Sequence, residues 1–216
     1  MRARTVAPST SAGLRARTRE EHEAVEASLD MGQLRTSAGL AAALRGWQTV
    51  WGEVSVGVLE PGAAAEATAE LLIPAAQALD WLAADLSDLA PPEGEVPMRC
   101  AAPSDARVLR RFLAHPAASW GLAYALRGSR LGGGVLAPLV RGALELPGDC
   151  GTRFLASHGT DPGREWVSFR RRLDAADLSE PEVAAAVEAA RWTFRWVGAA
   201  LAATSGRTAL AGQASR

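Results

Sequence analysis

At 216 residues the chain is long enough to bury one large core, and 48% hydrophobic against 22% charged residues excludes an intrinsically disordered protein. Its net charge is −1 and all 23 basic residues are arginine without a long basic run, which argues against nucleic-acid binding. No apolar window of about 18 residues is present, and Cys100 and Cys150 form no C-x-x-C pair. Neither membrane insertion, export, a zinc site nor a disulfide framework is therefore expected, and the cytoplasm is the expected compartment.

Nearly every longer segment has helical periodicity and none alternates as a strand does, so the expected fold is all-α, a single-domain bundle of about eight helices. Residues 1–10 read as a flexible leader, 11–206 as the domain and 207–216 as a disordered tail. Ser9, Thr10 and Ser11 offer N-caps to a first helix ending around Asp30–Gly32. A second begins near Thr36 or Ser37 and carries Leu40, Leu44, Trp47, Val50, Trp51 and Val54 to a stop at Pro61–Gly62. The third spans about Ala63 to Leu89, kinked or divided by Pro74.

Residues 90–103, with four prolines, read as a loop, after which Ser104 or Asp105 caps a short helix to Leu113. His115–Pro116 breaks the chain before a long helix that Pro147–Gly148 closes. A short helix follows from Asp149 to His158, with Gly159 as a left-handed cap and His158 complementing the helix dipole. Asp161–Pro162 launches the next helix through Trp166, Phe169 and Leu173, and a capping box at Ser179–Glu182 starts the last, expected to end at Thr204–Gly206.

Two stretches are unusual. Leu14, Thr18, His22, Val25 and Leu29 share one helical stripe, so His22 is expected to face inward, with Glu26 one turn later in reach of its second ring nitrogen. A lone histidine on such a stripe serves equally as a core residue. The second stretch sets Gly128, Gly132, Gly133 and Gly134 inside an otherwise helical run. Four interior glycines cost a helix roughly 2–4 kcal/mol relative to alanine, so something there should need bare backbone.

The stretch LRARTREEHEAVE (residues 14–26) resembles the N-terminal motif of heme oxygenases, and GSRLGGG (128–134) resembles their glycine-rich distal helix, especially in the bacterial branch associated with bacteriophytochromes. FLASHGTDPGREWVSF (154–169) is similar to a later family pattern, a turn followed by W-x-x-F.

The resemblance implies a biliverdin-producing monooxygenase for which heme b is both prosthetic group and substrate, cleaved at a meso carbon to biliverdin, CO and ferrous iron with O2 and electrons from a ferredoxin or a reductase. On this reading His22 is the proximal iron ligand, oriented by Glu26, and Thr18 lies in the same stripe against the macrocycle. Gly128, Gly132 and Gly133 let the backbone approach the opposite heme face. Arg15 and Arg19 match basic residues that meet the propionates. Arg171, within the cluster Arg170 to Arg172, is a second candidate for that contact, and Trp166 and Phe169 wall the pocket or simply pack the core.

Two positions depart from the family pattern: Ser129 stands where animal members carry the aspartate that organises distal water, and Gly134 where glutamine is usual. Both keep open an alternative, a heme-binding or sensing protein without turnover. A non-heme di-iron relative is disfavoured because no E-x-x-H pair is present, and a cofactorless nucleophilic enzyme because neither cysteine has a motif-level partner. A bacteriophytochrome would be the recipient of the product by analogy with that branch.

Overall fold

A computed structural model describes residues 9–89 and 106–214, the last ten of these by backbone alone. The described residues form ten helices and no strand: α1 (Thr10–Arg17), α2 (Arg19–Ser28), α3 (Met31–Leu34), α4 (Ser37–Leu59), α5 (Ala65–Asp88), α6 (Ala106–Leu113), α7 (Pro116–Leu144), α8 (Arg153–Ala156), α9 (Pro162–Ala175) and α10 (Glu180–Ala214). The expected loop over 90–103, its following caps and Cys100 lie outside the described residues, as does most of the leader.

Local chemistry accounts for most of the boundaries. The Thr36 hydroxyl accepts the Gly39 N–H to start α4, the His115 ring accepts the Ala118 N–H to start α7, and the Asp161 carboxylate accepts the Arg164 N–H to start α9. At α10 the Glu182 carboxylate accepts both the N–H and the hydroxyl of Ser179, which holds it below the ordinary carboxylate pKa. Pro74 is buried within α5 without dividing it.

Four boundaries differ from the expectations. The first helix is interrupted at Thr18, which separates α1 from α2 and whose hydroxyl donates to the Leu14 carbonyl at 2.8 Å. Helix α7 closes at Leu144 rather than Pro147, because Glu145 takes the left-handed conformation (φ 52°). Helix α8 is a single turn whose left-handed cap is Ser157 (φ 51°), with Gly159 left-handed two residues later. The backbone of α10 continues to Ala214, since a lone glycine at 206 lowers helix propensity without stopping a helix.

The long helices α4, α5, α7 and α10 pack around one core that includes Trp51, Leu71, Leu82, Leu122 and Leu126, all fully buried. Helix α10 lies along α7, α4 and α2, and α9 lies along α7 and α1, so the two unusual stretches are carried on one scaffold. Gly121 of α7 meets the Ala186 backbone of α10 where a side chain would have no room, bringing the two helices into close contact.

Candidate active site

The His22 turn is held by its neighbour. Glu21 is 15% exposed at its side chain and turns toward α10, where Arg191 lies at 3.3 Å and Arg195 at 3.9 Å. Arg191 also donates to the Arg17 carbonyl at 2.8 Å. With Glu21 and Val25 turned to the scaffold, His22 is 50% exposed at its side chain, so the inward placement expected for it is corrected: Leu14 and Thr18 are buried, while the imidazole stands at the surface. The physical reason is that α2 packs on α10 through Glu21 and Val25, which leaves His22 on the flank of that contact. Glu26 Oε2 is 3.7 Å from His22 Nδ1, and the Phe194 ring of α10 meets the imidazole edge-on at 5.4 Å. Arg19 is exposed and paired with Glu23 at 2.6 Å.

The glycines of α7 divide by direction. A Cβ at Gly133 would stand 2.6 Å from the Leu155 carbonyl oxygen, so this glycine faces α8. At Gly132 and Gly134 a Cβ would meet nothing within 4 Å, and at Gly128 only the Trp166 ring, from 3.4 Å. At about 100° per residue Gly128 and Gly132 share a side with Val135 and Leu139, flanked by Leu131, and Gly134 falls on another flank. Leu131, Val135 and Leu139 are exposed apolar side chains, so this side of α7 is bare backbone bordered by hydrocarbon. The Ser129 hydroxyl donates to the Leu126 carbonyl at 2.8 Å.

One turn before Gly128, Tyr124 is buried and packs on Trp166 at 5.2 Å; Trp166 stacks on the fully buried Phe169 at 5.5 Å. Burial raises the Tyr124 phenol pKa, and the positive charges of Arg15 and Arg170 oppose that rise. Arg170 donates to the Ser11 hydroxyl at 3.3 Å, Arg172 grips buried Glu70 through two bonds at 2.6 and 2.8 Å, and Arg171 is exposed. Among the described residues no group of three or more His, Cys, Asp or Glu side chains is arranged to hold a metal ion, and no helix is long and apolar enough to cross a membrane.

A half-exposed imidazole with a carboxylate one turn away and a bare apolar helix side are the kinds of group that bind a flat apolar ligand with a metal centre. A family model described as heme oxygenase matches residues 9–202. The chain belongs to the heme oxygenase family. Similar solved structures include the heme oxygenase of Leptospira interrogans (20% identity, TM-score 0.70, covering 92% of this chain and 100% of that one). The NO- and CO-bound heme oxygenase of Neisseria meningitidis is also similar (22% identity, TM-score 0.62, 93% and 94%), as is heme oxygenase 2 of Chlamydomonas reinhardtii without heme (14%, 0.71, 90% and 96%). No curated protein sequence matches the chain. The all-α expectation agrees with these folds.

Within this heme oxygenase family member, several site features have no direct signal in the one-dimensional pattern. Phe194 meets His22 from a distant helix, Tyr124 collects the two arginine charges, and Arg170 rather than Arg171 is the member of its cluster directed to α1 and α7. Arg127 and Arg130, on either side of Gly128 and Ser129, are both largely buried, an unusual state for arginine.

Proposed function

We propose that this protein degrades heme, cleaving it at a meso carbon to biliverdin, CO and ferrous iron. When bound, heme supplies the redox iron and is itself the substrate, with O2 and electrons from a ferredoxin or a reductase as co-reactants. The exposed side of α7, where Gly132 offers bare backbone bordered by Leu131, Val135 and Leu139, carries the reading, because it supplies an apolar wall of the kind a flat macrocycle needs.

His22 would hold the iron, with Glu26 Oε2 3.7 Å from its Nδ1 and Phe194 limiting rotation of the ring. Leu14 and Thr18 close the foot of that turn. Gly132, with Gly128 under the Trp166 ring beside it, would hold backbone against the heme, and Leu131, Val135 and Leu139 would exclude water there. Arg15, Arg19 and Arg170 are the cationic partners for the propionates, Arg170 taking the place expected for the exposed Arg171. Gly133 contributes by letting α7 lie close on α8, and Trp166 fills the space over Gly128.

The cytoplasm is the proposed compartment, and a bacteriophytochrome the proposed recipient of biliverdin. The test is an optical titration with hemin of wild type beside His22→Ala, followed by a reductant in air. A one-to-one complex whose Soret band depends on His22 and decays to a biliverdin spectrum is the expected result. A stable, unbleached complex with a competent donor present would mark a binding or sensing protein, and absence of any saturable complex would overturn heme as the ligand.

A further inference from the structure

Arg130 lies inside the glycine-rich stretch and is 6% exposed at its side chain. A buried guanidinium is costly unless its donors are met, and here they are met by one continuous piece of chain. Nε donates to the Ser157 hydroxyl at 3.2 Å, Nη2 to the Thr160 hydroxyl at 2.8 Å and Nη1 to Glu165 Oε2 at 2.7 Å, while the Trp81 ring lies 5.3 Å from the guanidinium carbon. Ser157 caps α8, Thr160 lies in the connection, and Glu165 is in the first turn of α9. One side chain of α7 thus fixes the whole path from α8 into α9.

The residue after Glu165 is Trp166, whose ring lies over Gly128. Three residues earlier on the same face of α7, Arg127 stands 5.3 Å from the Phe169 ring and is bonded to the Glu70 carbonyl at 3.0 Å. Helix α9 is therefore gripped by two arginines of α7, and Gly128 contributes no side chain to set its height.

We propose that Arg130 is a positioning residue: through Glu165 it places Trp166 against Gly128 and so sets the shape of the space above the glycine side of α7. This rests on the heme-degrading function proposed above. Lysine offers a charge but not the fork that reaches Ser157, Thr160 and Glu165 together, so it should restore the arrangement only in part.

The experiment compares wild type with Arg130→Met, Arg130→Lys, Glu165→Gln and Trp166→Leu. Three quantities are read: the near-ultraviolet circular dichroism of the ligand-free protein, hemin affinity, and the C–O stretching frequency and biliverdin-forming rate of the heme-loaded protein. Arg130→Met and Glu165→Gln should alter the tryptophan dichroism and shift the C–O frequency. They should also slow turnover by about tenfold while changing hemin affinity by less than about threefold. Arg130→Lys should fall between, and in the Trp166→Leu background the Arg130→Met effect should vanish, as it must if one acts through the other. Glu165→Gln, at a partly exposed carboxylate, keeps the test open if Arg130→Met does not fold. Wild-type dichroism, C–O frequency and rate in the folded variants would overturn the proposal, as would an undiminished Arg130→Met effect in the Trp166→Leu background. A wild type that takes up no hemin would overturn the function instead, and the dichroism alone would then decide the placement of Trp166.

Discussion

Gly133 and Leu155 are in backbone contact: a methyl group at Gly133 would stand 2.6 Å from the Leu155 carbonyl oxygen, whereas its neighbour Gly132 faces open space. Adjacent glycines in one motif therefore have opposite roles, one admitting a helix and the other leaving a surface bare. Gly132→Ala is expected to raise stability by about 0.5–1 kcal/mol through helix propensity while weakening hemin binding. Gly133→Ala is expected to lower stability by about 1–3 kcal/mol through overpacking. Thermal melts with parallel hemin titrations read both signs.

Glu70 carries a second consequence. Its carboxylate is 5% exposed and holds Arg172 through two bonds, with Arg127, 11% exposed, at 3.4 Å. Burial already pushes the Arg127 pKa down, so removing its counter-charge strands a cation in the interior. Glu70→Ala should cost about 3–5 kcal/mol, as expected for breaking a buried pair. Denaturant unfolding measures it, and an effect under about 1 kcal/mol would show that water reaches the site.

Acid sensitivity should follow from two aspartates of opposite sign on α5. Arg153 and the Gly151 N–H hold Asp88 below the usual aspartate pKa, so its stabilisation is complete above about pH 4 and is lost as pH falls through the lowered folded value. Burial raises Asp85 despite its bonds from the Arg153 and Phe154 N–H groups, so its contribution grows as pH falls from the raised folded value to the ordinary aspartate value of about 4. Melting temperature between about pH 2 and 6 should therefore fall less steeply in Asp88→Asn than in wild type and more steeply in Asp85→Asn. Parallel curves for all three would refute this assignment.

Arg170 and Arg171 are adjacent yet should differ in function. Arg170 reaches Ser11 and acts on Tyr124, while Arg171 is exposed and makes no such contact. Arg170→Ala is expected to lower hemin affinity by about tenfold, in line with loss of a charge-assisted bond, and to change the ratio of biliverdin isomers. Arg171→Ala should leave both within about twofold. Chromatography of the product reads the isomers, and equal effects of the two variants would assign both arginines to the rim.

Much of this architecture is legible along the chain because it is local. Thr36, Asp161–Pro162 and Ser179–Glu182 mark helix starts through bonds that span three residues. The pairing of His22 with Glu26 follows from one helical turn, and the family motifs are contiguous strings.

What the chain could not disclose is direction. Periodicity states that Leu14, Thr18 and His22 share a stripe, but α2 packs on α10 through Glu21 and Val25, which leaves His22 half-exposed. It places four glycines at known angles around α7, yet only the positions of Leu155 and Trp166 separate the glycine that packs from those that stay bare. Angles within a helix are set by backbone geometry, and hence by sequence. Which angle meets protein and which meets a ligand depends on helices distant in the chain, and only their packing decided it.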